Sequence, residues 1–283
     1  MLRVGMIQFC ASDRPMHNLK KTSAMIADAA AQGAKLVVTP EVTNIVSTSR
    51  SHQTKIVVPE SEDPTLAAMR QQAADLGIWL LIGSLTLATD DPDGRFANRS
   101  FLINPKGEVV SKYDKIHMFD VRITETETYN ESAGYRAGDD VVVADTDFGT
   151  IGLTVCYDVR FPYLYRQLAL EGAQIITVPS AFSTVTGVDH WDVLLRSRAI
   201  ENGCFILAPA QTGNHKMVTG RPRKSYGHSY AVDPWGHVLV DGGTDERVVM
   251  VDLDLSLVDK TRTRIPSLTH GRKLKDARHD RSK

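Results

Sequence analysis

Cys156 has the setting expected of a nucleophile. It follows an apolar stretch, residues 149–155, and is followed at once by polar residues and the helix-starting pair Phe161 and Pro162. In open α/β sheets ligands bind beyond the carboxyl ends of the strands, so a thiol at a strand end lies where substrates arrive. The alternative is a buried core cysteine, since free cysteine is among the most often buried residue types.

Two other apolar runs end in charged residues. Residues 35–38 read as a strand that runs into Pro40, which cannot donate to a sheet, and then into Glu41. Lys115 comes just after a second short strand, residues 108–112. Taken singly, each is an ordinary solvated charge. Together with Cys156 they supply a base, a cation and a nucleophile, a set sufficient for acyl transfer.

The chemistry follows from these residue types. A thiol is mostly protonated near neutral pH, so Glu41 is expected to take the proton of Cys156 as the sulfur attacks an amide carbon. The same carboxylate can return the proton to departing ammonia and then activate water. Lys115 and the backbone N–H of Tyr157 are expected to stabilise the oxyanion. This scheme needs no metal and no cofactor.

Several motifs resemble the nitrilase superfamily of carbon-nitrogen hydrolases. Its opening strand and its glutamate, lysine and cysteine motifs are matched, in this order, by residues 2–8, 39–41, 113–117 and 155–162. Further segments resemble the branch that contains deaminated glutathione amidase and omega-amidase: residues 179–182, 190–202, 210–213, 226–229 and 232–236. The sequences of residues 179–182, 210–213 and 233–236 most resemble deaminated glutathione amidase.

The resemblance implies a fold and an activity. The fold is an αββα sandwich, two sheets between helical layers, paired as αββα-αββα in a homodimer or higher homo-oligomer through helices after Arg160 and around Trp191. The activity is hydrolysis of the terminal amide of a small 2-oxo acid amide, deaminated glutathione being favoured, to carboxylate and ammonia through a cysteine thioester.

Other activities stay open at this point. The alternatives are omega-amidase action on 2-oxoglutaramate, hydrolysis of a carbamoyl compound, an aliphatic amide or a nitrile, and a catalytically idle binding or scaffold protein. A papain-like cysteine/histidine protease fits less well, because the residues around Cys156 do not resemble its signature and His117 would have to be the base.

Glu131 is a further catalytic candidate through the resemblance. Relatives have a second glutamate in this region that holds the lysine and the substrate amide. Glu125 and Glu127 lie close by in the same polar loop, so the alignment leaves a choice, and a solvated loop acid is the alternative for Glu131.

Substrate-binding residues are expected near the same strand ends. Arg160 is suited to a substrate carboxylate, although pairing with Asp158 would make it structural. Four residues after the strand at 174–178 are expected to line the rim: Ser180, Ala181, Phe182 and Thr184. The polar segment 43–55 predicts a wide or wet cavity.

Composition limits the other classes of function. The chain has 283 residues, of which 42% are hydrophobic and 24% charged, with a net charge of -1. We expect one hydrolase domain at 1–270, a basic C-terminal extension at 271–283, and a small-molecule substrate rather than nucleic acid or membrane. No apolar run reaches about 20 residues and no signal peptide is evident, which predicts a cytoplasmic protein.

The cysteines and histidines add little chemistry. Three cysteines without a Cys-x-x-Cys pair do not predict disulfides, and Cys10 and Cys204 read as small core residues. Nine histidines show no metal-ligand spacing, and His117 and His228 are interpreted as structural neighbours of the site.

Periodicity predicts alternating strands and helices, typical of a layered α/β fold. Helices are predicted at 18–32, 64–76, 161–172 and 189–202. Strands are predicted at 79–85, 98–104 and 248–253, with a hairpin formed by 230–232 and 237–240.

Overall fold

The computed structural model describes residues 1–125 and 127–273. Its strands are β1 (Leu2–Gln8), β2 (Leu36–Val38), β3 (Trp79–Leu87), β4 (Ala97–Ile103), β5 (Val109–Asp114), β6 (Asp120–Arg122), β7 (Thr128–Asn130), β8 (Val143–Asp145), β9 (Thr150–Leu153), β10 (Ile175–Thr177), β11 (Phe205–Ala208), β12 (Thr212–Asn214), β13 (Lys224–Tyr226), β14 (Tyr230–Val232), β15 (Val238–Asp241) and β16 (Arg247–Leu253). Its α-helices are α1 (Pro15–Ala31), α2 (Arg50–Ile56), α3 (Pro64–Leu76), α4 (Pro162–Leu170), α5 (Thr184–Asn202) and α6 (Ser256–Arg264). Short 3-10 helices cover Glu60–Glu62, Glu131–Ala133 and Cys156–Arg160.

Two six-stranded sheets carry the fold. The first has the order β16-β1-β2-β3-β4-β5 and the second the order β15-β14-β11-β10-β9-β8. Each contains a parallel centre, β1-β2-β3 in one and β9-β10-β11 in the other, flanked by antiparallel strands. Parallel centres require crossover helices, which explains why helices follow β1, β2, β9 and β10.

The two sheets pack face to face between helical layers. Side chains of both sheets, such as Val38 and Leu153, share one buried core, which continues to Leu168 of α4 and Leu195 of α5. The other face of the first sheet packs on α1 and α3 in a second core. Sheets buried on both faces need largely apolar strands, and β2 and β10 are fully buried along their length. The predicted αββα sandwich is confirmed.

Most predicted elements are found with small changes at their ends, and α3 has the predicted bounds. The exception is α5, which begins at Thr184, five residues before the predicted start. The Ser183 hydroxyl caps it by accepting a hydrogen bond from the Val185 N–H. Its first turn holds Gly187, whose missing Cβ leaves room for the Tyr226 ring, 2.4 Å from where that atom would be. Because residues 184–187 have low helix propensity, periodicity did not predict this first turn.

Residues 274–283, most of the predicted basic extension, lie outside the described residues. Within the described part of the chain, no helix has the length and apolar character to cross a membrane.

Candidate active site

Four strand ends bring the candidate catalytic residues together. Glu41 follows β2, Lys115 follows β5 and Cys156 follows β9, while residues 180–182 follow β10. Close packing beneath this edge depends on Gly83 of β3, because a Cβ there would lie 1.9 Å from the Thr39 carbonyl oxygen. A side chain at this glycine would push the Glu41 segment out of place.

The Lys115 ammonium lies between two carboxylates. Its Nζ is 3.0 Å from Glu41 Oε1 and 2.9 and 2.8 Å from the two carboxylate oxygens of Glu131. The Lys115 side chain is only 2% exposed and that of Glu41 5%. We call Glu41, Lys115 and Glu131 the ion-pair cluster. The loop glutamate beside the lysine is therefore Glu131, whereas Glu125 is exposed and Glu127 accepts hydrogen bonds from Tyr129 and Ser183.

Two further donors fix the Glu41 carboxylate. Asn98 Nδ2 donates to Oε1 at 2.9 Å and the Ala181 N–H donates to Oε2 at 2.8 Å. The main-chain carbonyl oxygen of Asn98 also accepts a hydrogen bond from the main-chain N–H of Lys115 at 3.0 Å. Asn98 therefore contacts both members of the ion pair. Sequence reasoning missed Asn98, because an asparagine within a strand carries no local sign of a contact 57 positions away.

Cys156 occupies a constrained turn. Its φ of 49° lies in the left-handed region, which is costly for a residue other than glycine. The turn is held by the buried Asp158, which accepts from the Val155 N–H at 2.8 Å and from the Tyr113 hydroxyl at 2.7 Å. The Tyr157 N–H is the second of a 3-10 helix, a position without an intrahelical acceptor.

Electrostatics keep the base charged and the nucleophile protonated. Burial opposes ionisation of Glu41, but the charge and hydrogen bond of Lys115, with a contribution from the Arg223 charge, hold its pKa below the ordinary value. Burial also opposes the charge of Lys115, yet Glu131 and Glu41 raise its pKa well above the usual range. Burial, reinforced by the Glu41 charge, raises the pKa of the Cys156 thiol.

A cavity of about 660 Å³ opens onto these residues. Cys156, Tyr157, Ala181 and Phe182 line it beside the ion-pair cluster. The rest of its lining is polar or aromatic for the most part. It comes from the segment 42–53, β4, the residue before β6, the segment 127–135, the start of α5 and the loop before β13: Val42, Ser47, Thr48, Arg50, Gln53, Asn98, Phe119, Glu127, Thr128, Tyr129, Asn130, Ala133, Gly134, Tyr135, Ser183, Thr186, Arg221, Pro222 and Arg223.

Three predicted substrate-binding residues do not line this cavity. Arg160 is at the end of its 3-10 helix and contacts His190 Nδ1 on α5 at 3.2 Å. The Ser180 hydroxyl is fully buried and donates to the Val178 carbonyl. Thr184 is the first residue of α5, and it is Thr186 that faces the cavity. In each case the backbone turns after the strand and directs the side chain away from the cavity. The direction of the strand alone does not determine this turn.

The remaining cysteines and histidines have structural surroundings. Cys204 is buried as predicted, whereas Cys10 is half-buried, with Sγ 3.6 Å from His215 Nδ1. His117 contacts Asp158 Oδ1 at 2.6 Å, and His228 contacts Asp241. In the part of the chain that the structure describes, no group of three or more His, Cys, Asp or Glu side chains could hold a metal ion.

Comparison with known proteins agrees with this geometry. Residues 3–263 match the family model described as carbon-nitrogen hydrolase. The chain belongs to the carbon-nitrogen hydrolase family. It is therefore a nitrilase-superfamily hydrolase that acts on carbon-nitrogen bonds. Its substrates, like those of the family, are small molecules.

Named relatives lie within the same superfamily. Deaminated glutathione amidase of Yersinia enterocolitica is 37% identical over 270 residues, which cover 95% of this chain and 92% of that protein. The crystal structure of the Caenorhabditis elegans NitFhit protein is similar, with a TM-score of 0.87 and 33% identity over 96% of this chain and 65% of that longer chain. An amidase from Nesterenkonia, with acrylamide added to its active site cysteine, has a TM-score of 0.76 and 28% identity over 94% of this chain and 98% of that one.

Proposed function

We propose that this hydrolase cleaves the amide of a small 2-oxo acid amide through a Cys156 thioester, with deaminated glutathione as the favoured substrate. The ion-pair cluster beside Cys156 supports the chemistry. The name of the relative that is 37% identical across 95% of the chain supports the substrate. A cavity of about 660 Å³ agrees, because it is in the size range of drug-sized ligands rather than of a five-carbon acid alone.

In the first half-reaction, Cys156 Sγ bonds to the amide carbon while Glu41 takes the thiol proton. A protonated thiol beside an ionised carboxylate is the resting state that general-base activation requires. The oxyanion is stabilised by the Tyr157 N–H and by Lys115. Because two of the Lys115 contacts go to the single carboxylate of Glu131, one N–H can turn to the oxyanion while the ion pair persists.

Collapse of the intermediate breaks the carbon-nitrogen bond, and Glu41 returns its proton to the leaving amine. Water then attacks the thioester with Glu41 as base, giving the carboxylate and the free thiol. The leaving group is ammonia for 2-oxoglutaramate. For deaminated glutathione it is cysteinylglycine, because the amide nitrogen belongs to the cysteine residue, so the ammonia expected from the sequence is replaced by a dipeptide.

Both products can be measured. We expect the wild type to release 2-oxoglutarate from deaminated glutathione and from 2-oxoglutaramate, detected by a coupled dehydrogenase assay, and Cys156→Ala to release none. Faster turnover of 2-oxoglutaramate would make omega-amidase the principal activity. Turnover of neither compound, with activity on a carbamoyl compound, an aliphatic amide or a nitrile, would reject the proposed substrate while keeping the family chemistry.

The same proposal includes a single hydrolase domain at 1–270 that forms a homodimer through α4 and α5. The family match over 3–263 supports the domain. Large apolar side chains exposed on these two helices support the pairing: Tyr163, Leu170, Val185, Val188, Val193 and Ile200. Light scattering on the purified protein would show twice the mass of one chain.

The three free thiols support a reducing compartment, the cytoplasm.

A further inference from the structure

Three arginines line the cavity, and their surroundings differ. Arg50 stacks over the Phe96 ring at 3.6 Å and donates to the carbonyl oxygens of Gly134 and Gly94. Arg221 is exposed. Arg223 is half-buried, and within the described part of the chain its side chain makes one hydrogen bond, 3.2 Å long, to the Ala181 carbonyl oxygen. Among residues 1–125 and 127–273, no carboxylate lies within 4.0 Å of either Arg221 or Arg223. Arg223 therefore has most of its five donors available.

Ala181 fixes how near Arg223 is to the reacting atoms. The N–H of this residue donates to Glu41 Oε2 at 2.8 Å, while its carbonyl oxygen accepts from Arg223. One residue thus connects the candidate base to the guanidinium, and standard bond lengths keep the two groups within about 10 Å of each other. The proximity is also evident in Glu41, whose low pKa, after burial and Lys115, includes a contribution from Arg223.

We infer that Arg223 is the specificity-determining residue that binds the carboxylate of the acyl part of the substrate, the 2-oxo acid end. This inference rests on the proposed function. In a five-carbon ω-amide that carboxylate is four carbon-carbon bonds from the attacked carbon, an extended span of about 5 Å, which a guanidinium at the distance of Arg223 can meet. A planar fork of N–H donors suits bidentate recognition of a carboxylate in a half-buried site.

Arg223 thus takes the carboxylate-binding role that the sequence predicted for Arg160. Arg223 stays with the acyl group through the thioester stage, so it orients both half-reactions. Arg221 also lines the cavity but is exposed, so solvent screening makes it the less suitable partner for the acyl carboxylate.

The test compares substrates with and without the carboxylate. We expect Arg223→Gln to lower kcat/KM for 2-oxoglutaramate and for deaminated glutathione by about tenfold to 100-fold, mostly through KM, since a hydrogen-bonded ion pair is lost. Hydrolysis of pentanamide, which has the same chain length but lacks both the acid and the 2-oxo group, should change less than about threefold. Arg223→Lys should recover part of the loss, and the matched control Lys224→Gln, which removes the neighbouring exposed charge on β13, should behave as the wild type.

A binding measurement completes the test without turnover. Titration calorimetry of Cys156→Ala with 2-oxoglutarate should show binding that is lost in Cys156→Ala/Arg223→Gln and kept in Cys156→Ala/Lys224→Gln. Equal losses on 2-oxoglutaramate and pentanamide would overturn the inference, as would a loss confined to deaminated glutathione, which would place the leaving-group carboxylate at Arg223. Wild type that hydrolyses neither 2-oxo acid amide would instead reject the proposed function, and the calorimetry would still decide the role of Arg223.

Discussion

Two groups of charged residues that line the cavity have opposite properties. In the ion-pair cluster Glu41 and Lys115 are buried and Glu131 is partly buried. Each of the three charges has a partner within 3.0 Å, and Asn98 and Ala181 also hold Glu41 in place. Arg221 is exposed and Arg223 half-buried, and among the described residues no carboxylate lies within 4.0 Å of either guanidinium. The ion-pair cluster, the inner group, therefore has its charges paired without substrate. The two arginines, the outer group, have hydrogen-bond donors left for a ligand.

This difference separates chemistry from recognition. Groups that must move a proton or stabilise an oxyanion benefit from a fixed arrangement in a site of low polarity, because nothing then has to reorganise during the reaction. Groups that select a substrate benefit from donors left open for the ligand. Variants in the inner group should therefore change kcat for every substrate.

The largest loss is expected for Glu41→Gln. The amide keeps the shape but cannot accept the thiol proton, so kcat/KM should fall by about 100-fold to 10,000-fold on all amide substrates alike. Steady-state kinetics with 2-oxoglutaramate and pentanamide would measure it. A loss on only one of the two compounds would move Glu41 from the chemistry to recognition.

Lys115→Met should lower kcat by about 100-fold to 1000-fold through the lost oxyanion partner. It also removes the cation that holds the pKa of the buried Glu41 below its ordinary value, so the pKa of Glu41 should rise and the remaining activity should need a higher pH. The pH profile of kcat distinguishes the variant from simple unfolding. A profile identical to that of the wild type would contradict the pairing.

Glu131→Gln should reduce kcat by about tenfold to 100-fold, since the Lys115 ammonium loses a bidentate, charge-assisted partner. Glu125→Gln, in the same loop but exposed, provides the matched control and should retain full activity. Equal effects of the two substitutions would mean that the loop acids act only through their overall charge.

Asn98→Ala should lower kcat by about tenfold, because Glu41 loses a buried donor while its ion pair with Lys115 remains. The KM for 2-oxoglutaramate should change less than about twofold if Asn98 only positions the base. A rise in KM without a change in kcat would indicate that Asn98 binds substrate instead.

The smallest effect concerns stability. The folded protein holds the pKa of Glu41 below the value of 4.5 that applies in the unfolded chain, so the unfolded state binds the proton more readily. The contribution of Glu41 to the free energy of unfolding is present above pH 4.5 and is lost as the pH falls through the lower, folded pKa. Urea unfolding between pH 3 and 7 should therefore show a shallower pH dependence for Glu41→Gln than for the wild type.

Much of the site could be predicted from short segments of sequence. A strand followed within a few residues by Glu41, Lys115 or Cys156 is evident locally, and three such segments in the family's order identify the superfamily and its αββα sandwich. The start of α5 could not be predicted, because residues 184–187 have low helix propensity and depend on the Ser183 cap and the Tyr226 contact.

The sequence by itself determined which residues have the chemistry and on which strand ends they lie, because apolar runs and their final residues are local properties. Only the tertiary structure decided that Glu131 is the carboxylate that holds Lys115, that Asn98 orients Glu41, and that Arg223 rather than Arg160 faces the cavity. These are contacts between segments far apart in the chain. They depend on how the two sheets pack and where each loop turns, and no short stretch of sequence encodes either.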